Sequence, residues 1–392
     1  MFFTFLYRYS SQYIIYQGFL MKYLIFVLPF VFASAINAQD IQVTPTSETS
    51  NHNTQTFSFD HVTLQIIGRT ISLSGPAGED QITNTNAYSL SGDRGYIGAM
   101  LFEDELRVRL YDGRGSRVTD AQLDHFDPMD ETLDIRVLQD GRFITRDNVA
   151  NISFFDARGA LMYNISNSSG SPDGEVASGI ATDSSGNTVV LYNSRINYGP
   201  DEGSRARILK SEDNFINIFD SRERTIKSVF VSKNGSYITL ITERSGTDDE
   251  VLIFDRHGNT IAELETDMEL NGATLTEDAG YLTIYSSNRA QVYRISNGER
   301  LGSTSFRVNV AYATYSPEDQ QILALSGTIG QNNQISNPEL HAIHLGERSI
   351  ARTDVSFPLS FLDHSKVDVE RTGSNRFVVR GLNRNLNLQT SF

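Results

Sequence analysis

The residues best suited to chemistry are scattered along this chain rather than gathered. Seven histidines stand at 52, 61, 125, 257, 341, 344 and 364, and only His341 and His344 are close neighbours. On a strand, residues three apart point to opposite faces, so this pair cannot share a metal there. No third ligand follows at a zinc-like spacing. Carboxylates cluster at 103–105, 127–134, 201–202 and 248–250. None of these runs follows the spaced pattern of a calcium loop, and solvated loops are their ordinary state. The chain has no Cys, which excludes a thiolate metal site, a thiol nucleophile and a disulfide framework. Neither a Gly-x-Ser-x-Gly elbow nor a phosphate-binding glycine loop occurs. Glycosidase carboxylates are recognised only by their separation in space. No catalytic residue, metal ligand or cofactor is therefore expected; calcium at an acidic loop is the one metal left open.

Binding chemistry is easier to place. Arg146, Arg244 and Arg289 recur near one position of successive repeats, and a guanidinium presents a fork that fits carboxylate or phosphate. Ion pairs with neighbouring acidic loops are the competing role. Asn148, Tyr192, Arg195, Tyr198 and Asn332 fall on or beside the same connections. Two of these connections, 193–205 (NSRINYGPDEGSR) and 327–338 (GTIGQNNQISNP), are longer than hairpins need. Long loops on a rigid scaffold are where function concentrates. These eight residues are the candidate binding set.

The elements that position them form a repeat. A short strand, a polar turn and a more apolar strand recur, with turns ending at 95, 141, 186, 235, 280, 320 and 375. Their spacing of about 40 to 55 residues suits four strands with their turns, as in a propeller blade. The second strands, such as 97–102, 189–192 and 237–241, are nearly continuous apolar runs, as expected of strands covered on both faces. A second phrase, aromatic-Asp-x-x-Gly, appears at Tyr111–Gly115, Phe155–Gly159 and Phe254–Gly258. Phe219-Asp220 keeps its first half, and 293–298 is a drifted version. Asp accepting a backbone N–H two residues on, with Gly in the left-handed position, makes a hairpin turn. The expected fold is an all-β β-propeller of seven four-stranded blades. Its last unit is short of strands, so an N-terminal strand, with 62–73 as the candidate, should close the ring.

The stretch Gly179-Ile-Ala-Thr-Asp-Ser-Ser-Gly-Asn-Thr-Val-Val190 resembles repeats of the NHL and SBBP type found in bacterial exported propellers. That resemblance covers about a dozen residues and implies a fold and a habit of binding across one face, but no reaction. The Trp-Asp and Gly-His signatures of WD repeats, the paired glycines of kelch and quinoprotein Trp motifs are absent.

Residues 21–38 (MKYLIFVLPFVFASAINA) have the layout of a secretory signal peptide. Residues 1–20 read as an upstream extension, 39–56 as a disordered leader and 57–392 as one propeller domain. An uncleaved anchor is the competing reading of the N-terminus. The net charge of −15 argues against nucleic acid as partner. The expectation is an exported, non-catalytic, monomeric propeller, periplasmic, cell-surface or extracellular, without membrane insertion after signal cleavage. Its partner would be a protein, peptide or glycan. A metal-dependent lactonase-like hydrolase or lyase, and a structural component of envelope assembly, are the alternatives.

Overall fold

The structure, a computed structural model, describes residues 41–45, 55–59, 61–67, 69–91, 95–123, 133–146, 152–165, 179–183, 185–197, 202–211, 214–244, 248–329, 335–345, 350–356, 368–380 and 386–390. The extension and signal peptide expected at 1–38 lie outside these residues. Every regular element described is a β-strand, and the strands form eight four-stranded antiparallel sheets. In chain order the sheets span 55–82, 85–122, 134–165, 179–221, 224–265, 270–305, 309–356 and 368–390; we number them one to eight. First strands of successive sheets touch, as those of sheets three and four, four and five, six and seven, and seven and eight do.

Seven apolar clusters fill the seams between consecutive sheets, from one–two to seven–eight. This explains why second strands are apolar without alternation. In sheet two, Ile97, Ala99 and Leu101 enter the seam with sheet one, while Met100 enters the seam with sheet three. All four are essentially buried, and a fully buried aliphatic side chain contributes about 2 kcal/mol. Gly98, between them, leaves room for sheet three: a Cβ there would lie 2.6 Å from Val137 Cγ2.

The recurring turns fold as their residues dictate. Asp112 Oδ1 accepts the N–H of Arg114 and of Ser116, both at 2.9 Å. Asp156 and Asp255 repeat that pattern, and Gly115, Gly159 and Gly258 take the left-handed conformation that each turn needs. Phe219-Asp220 is different. It belongs to the outer strand Asn214–Ser221, where Asp220 accepts from Arg205 at 2.9 Å, so this half-match to the phrase is not a turn.

The blade arithmetic needs correction: there are eight sheets, where seven repeats were expected. Residues 62–67 and 70–75 do not complete the last sheet; they are the middle strands of sheet one, flanked by Gln55–Phe59 and Gly78–Ile82. Those flanking strands (QTFSF and GEDQI) are too polar to announce themselves. Closure does use an N-terminal strand, but a different one. Ile41–Pro45 pairs antiparallel with Leu386–Thr390 as the outermost strand of sheet eight, from Ile41 opposite Thr390 to Pro45 opposite Leu386. The stretch 39–56, expected as a disordered leader, thus contributes one strand and the first two residues of another. Its polar composition has little to bury, and backbone pairing at a sheet edge does not require burial.

Side chains latch sheet seven to sheet eight. The Asp319 carboxylate, 3 % exposed, accepts from Arg371 Nε at 2.6 Å and from the Asn375 N–H at 3.0 Å. Buried Gln321 donates to Asn375 Oδ1 and accepts from Thr390 Oγ1. Burial pushes the Asp319 carboxyl up, but the bonds from Arg371, Asn375 and Ser316 outweigh it and hold the group below its ordinary value. A depressed folded-state value gives stability that is present above the unfolded value, about 4, and lost as pH falls through the lower folded one. Asp319→Asn should therefore cost stability at neutral pH and flatten the acid limb. Urea midpoints of both proteins should converge as the pH is lowered; parallel curves would overturn the assignment.

Candidate ligand-binding face

Connections between second and third strands all emerge at one end of the ring, together with the starts of the first strands. Two of these connections differ from expectation. Residues 193–205 are largely not a loop: Val189–Asn197 and Glu202–Ser211 continue as a paired ribbon to Asn197 opposite Glu202, with an irregularity after Asn193. Residues 327–338 likewise extend the pairing of Gln321–Ile329 with Ile335–Leu345. Both ribbons are braced. Ser204 donates to the Arg224 carbonyl of sheet five at 2.8 Å, and Ile335, fully buried, packs among Phe377, Val379 and Leu388 of sheet eight. Pairing satisfies backbone groups that a loop of this length would leave to solvent.

Of the eight candidate residues, Asn148, Tyr198 and Asn332 lie outside the described residues, as does the side chain of Arg195. Arg244 meets Glu223 at 2.5 Å and Arg289 meets Asp267 at 3.0 Å, in each case a carboxylate on the connection entering the same sheet. These two arginines are ion-paired on exposed ground, where such pairs contribute little. Beside Arg244 is a cavity of about 280 Å³ lined by Arg224, Thr242, Asp248, Asp249, Glu250 and Thr266 among others. Its charges are largely spoken for. Arg224 pairs with Glu250, and buried Asp249 accepts from Lys227 at 2.9 Å and from the Leu270 N–H at 2.5 Å, tying sheet five to sheet six.

Arg146 and Tyr192 point into different seams: Arg146 faces sheet four, whereas Tyr192 packs toward sheet five with its hydroxyl within electrostatic reach of Arg136, Asp134 and Arg146. Arg146 ends the second strand of sheet three, directly opposite Asp134 at the start of the first. Ile144 points into the seam with sheet four, so Arg146, two residues on, does too. Arg136, opposite Ile144, shares that face; it pairs with Asp134 at 3.0 Å and donates to the Ile180 carbonyl of sheet four at 3.3 Å. From the other side, Val189 and Leu191 enter the same seam, which places Asn193 there as well. Tyr192 lies across Gly179, where a Cβ would come within 2.4 Å of its hydroxyl. Burial raises the Tyr192 hydroxyl above its ordinary value, with the charges of Arg136, Asp134 and Arg146 also reaching it. Burial likewise raises the Asp134 carboxyl, outweighing the pull of Arg136 and Arg146.

Asp134, Arg136 and Asn193 were not among the candidates. Asp134 reads as the end of a solvated acidic run, yet the alternation Asp134-Ile135-Arg136-Val137 puts both charges on one strand face, which was the usable signal. His341 is a core residue: its Nε2 lies 2.6 Å from Ser326 Oγ and its ring packs on Phe306. Among the described residues, no three His, Asp or Glu side chains converge to hold a metal ion. Nor is any described helix long and apolar enough to cross a membrane.

With this geometry in view, comparison with solved structures is informative about the fold. BamB from Moraxella catarrhalis superposes over 90 % of this chain and 100 % of its own, with a TM-score of 0.52 at 14 % identity. The Dos1 propeller superposes over 89 % and 95 %, with a TM-score of 0.57 at 11 % identity. The chain is a β-propeller. Neither a protein-family model nor a curated protein matches the sequence, so the likeness of 179–190 to NHL and SBBP repeats remains that of one turn. At these identities the likeness speaks for architecture alone.

Proposed function

We propose that this chain is an exported, non-catalytic β-propeller that binds a protein, peptide or glycan partner across the face carrying its two ribbons. The observation behind this reading is that sheets four and seven extend their second and third strands well past the ring on the same side. Bracing against sheets five and eight makes each ribbon a rigid projection, as recognition surfaces on scaffolds are. Arg146 and Asn193 stand at that same end of the seam between sheets three and four. The signal-peptide layout of residues 21–38 supports export, and the acidic balance of the chain disfavours nucleic acid.

The test is capture from the native envelope fraction with residues 39–392, set against protein whose ribbons are shortened at 194–201 and 330–334, which leaves buried Ile335 in place. Trimming should remove the specific partners while the unfolding free energy stays within about 0.5 kcal/mol of the parent, the usual range for surface changes. Partners retained by the doubly trimmed protein would refute the placement of the site.

A further inference from the structure

Among the described residues, two buried donors in the seam between sheets three and four have no acceptor. Asn193 is only 4 % exposed, and its Nδ2 makes no hydrogen bond; Arg146 Nε is buried and equally without one. Leaving such a group unmet costs about 1–3 kcal/mol, so each calls for an acceptor from outside the fold, whether water, an ion or a partner. The two side chains come from different sheets, share one seam and stand at the ribbon end of it. Arg136 is held by Asp134 and the Ile180 carbonyl. Arg146 forms no ion pair among the described residues, Asp134 reaching it only at longer range.

We propose that this seam is a recognition pocket for a single carboxylate of a polypeptide partner, its C-terminus or an acidic side chain, with Arg146 and Asn193 as the donors. Nε is one prong of the fork with which a guanidinium meets a carboxylate, and the asparagine amide adds a neutral donor from the facing sheet. One carboxylate balances the one guanidinium left without a counter-charge. A polyanion is disfavoured, because a chain of net charge −15 repels it at longer range. The inference rests on the ribbon face being the binding face.

Titration calorimetry with the tripeptide acetyl-Ala-Ala-Ala, as free acid and as C-terminal amide, tests it on residues 39–392. The acid should bind saturably and the amide about tenfold or more weakly, the worth of one charge-assisted hydrogen bond. Arg146→Gln and Asn193→Leu should each weaken the acid to the same degree. Both variants should keep the parent urea midpoint or exceed it, because they remove donors that the free protein leaves unmet. Equal binding of acid and amide, no saturable binding of the acid, or binding of glucuronate with the peptide acid silent would each overturn the proposal. A large loss of stability in Asn193→Leu would do so too, since the donor would then be serving the fold through buried water. Failure here with ribbon-dependent capture intact removes only the carboxylate pocket; failure of capture as well removes the binding face.

Discussion

Asp183→Ala is expected to lower the unfolding free energy by about 3 kcal/mol, the sum of one charged acceptor lost and a buried donor left unmet. Asp183 is 2 % exposed and sits in the turn between the first two strands of sheet four. Its carboxylate accepts the Thr188 N–H at 2.6 Å, the Ser185 N–H at 3.1 Å and the Ser185 hydroxyl. The turn so fixed holds the next blade. Thr188 Oγ1 donates to the Gly235 carbonyl at 2.7 Å, and a Cβ on Gly235 would come within 3.0 Å of the Asp183 carboxyl carbon. Ser91, Ser232 and Thr276 occupy the same place in sheets two, five and six, each accepting the N–H five residues on. Asp183→Ser should therefore recover much of the loss, whereas a ligand-binding carboxylate would show no such rescue. An unchanged urea midpoint for Asp183→Ala would remove the residue from the latch.

That turn also shows how much was legible. Asp183, Gly186 and Asn187 form a local signal, since each acts on backbone within a few residues. The second strands were legible because both of their faces are buried, which favours apolar residues on both, broken only by buried polar residues such as Thr239 and Thr283. Outer strands carry neither mark. Gly78–Ile82 (GEDQI) buries only Ile82, and the short sequence between Phe59 and Val62 lacks the glycine found in most of the other first turns. The middle strands of sheet one, at 62–73, were therefore assigned to the last unit instead of to a sheet of their own. The site was less visible still. That Arg244 and Arg289 carry charge is evident from sequence, but their partners Glu223 and Asp267 are fixed by how each connection enters its sheet. Asn193 looked like the first residue of a loop. Its burial depends on sheet three standing opposite, a fact that no window of the chain contains.

Removal of Ile41–Pro45 is the other large effect to expect, and it acts on the ring as a whole. The strand has five residues in register with Leu386–Thr390, and at about 1 kcal/mol per backbone hydrogen bond its loss should cost on the order of 4 kcal/mol. Sheet eight would be left with three strands and an open edge on its last one, a template for pairing with another chain. Sheet one would lose its covalent tie to sheet eight, so the ring could open at that seam without breaking any other strand pairing. Protein beginning at residue 46 should unfold at lower urea than protein beginning at residue 39, and should self-associate with rising concentration. A synthetic peptide of residues 39–50 added in trans should restore the midpoint as its concentration increases, because a ligand that binds only the folded state stabilises it by mass action. A scrambled peptide of the same composition should not, since register rather than stickiness is what the strand supplies. Equal midpoints for the two lengths of protein would show that the ring holds without this strand.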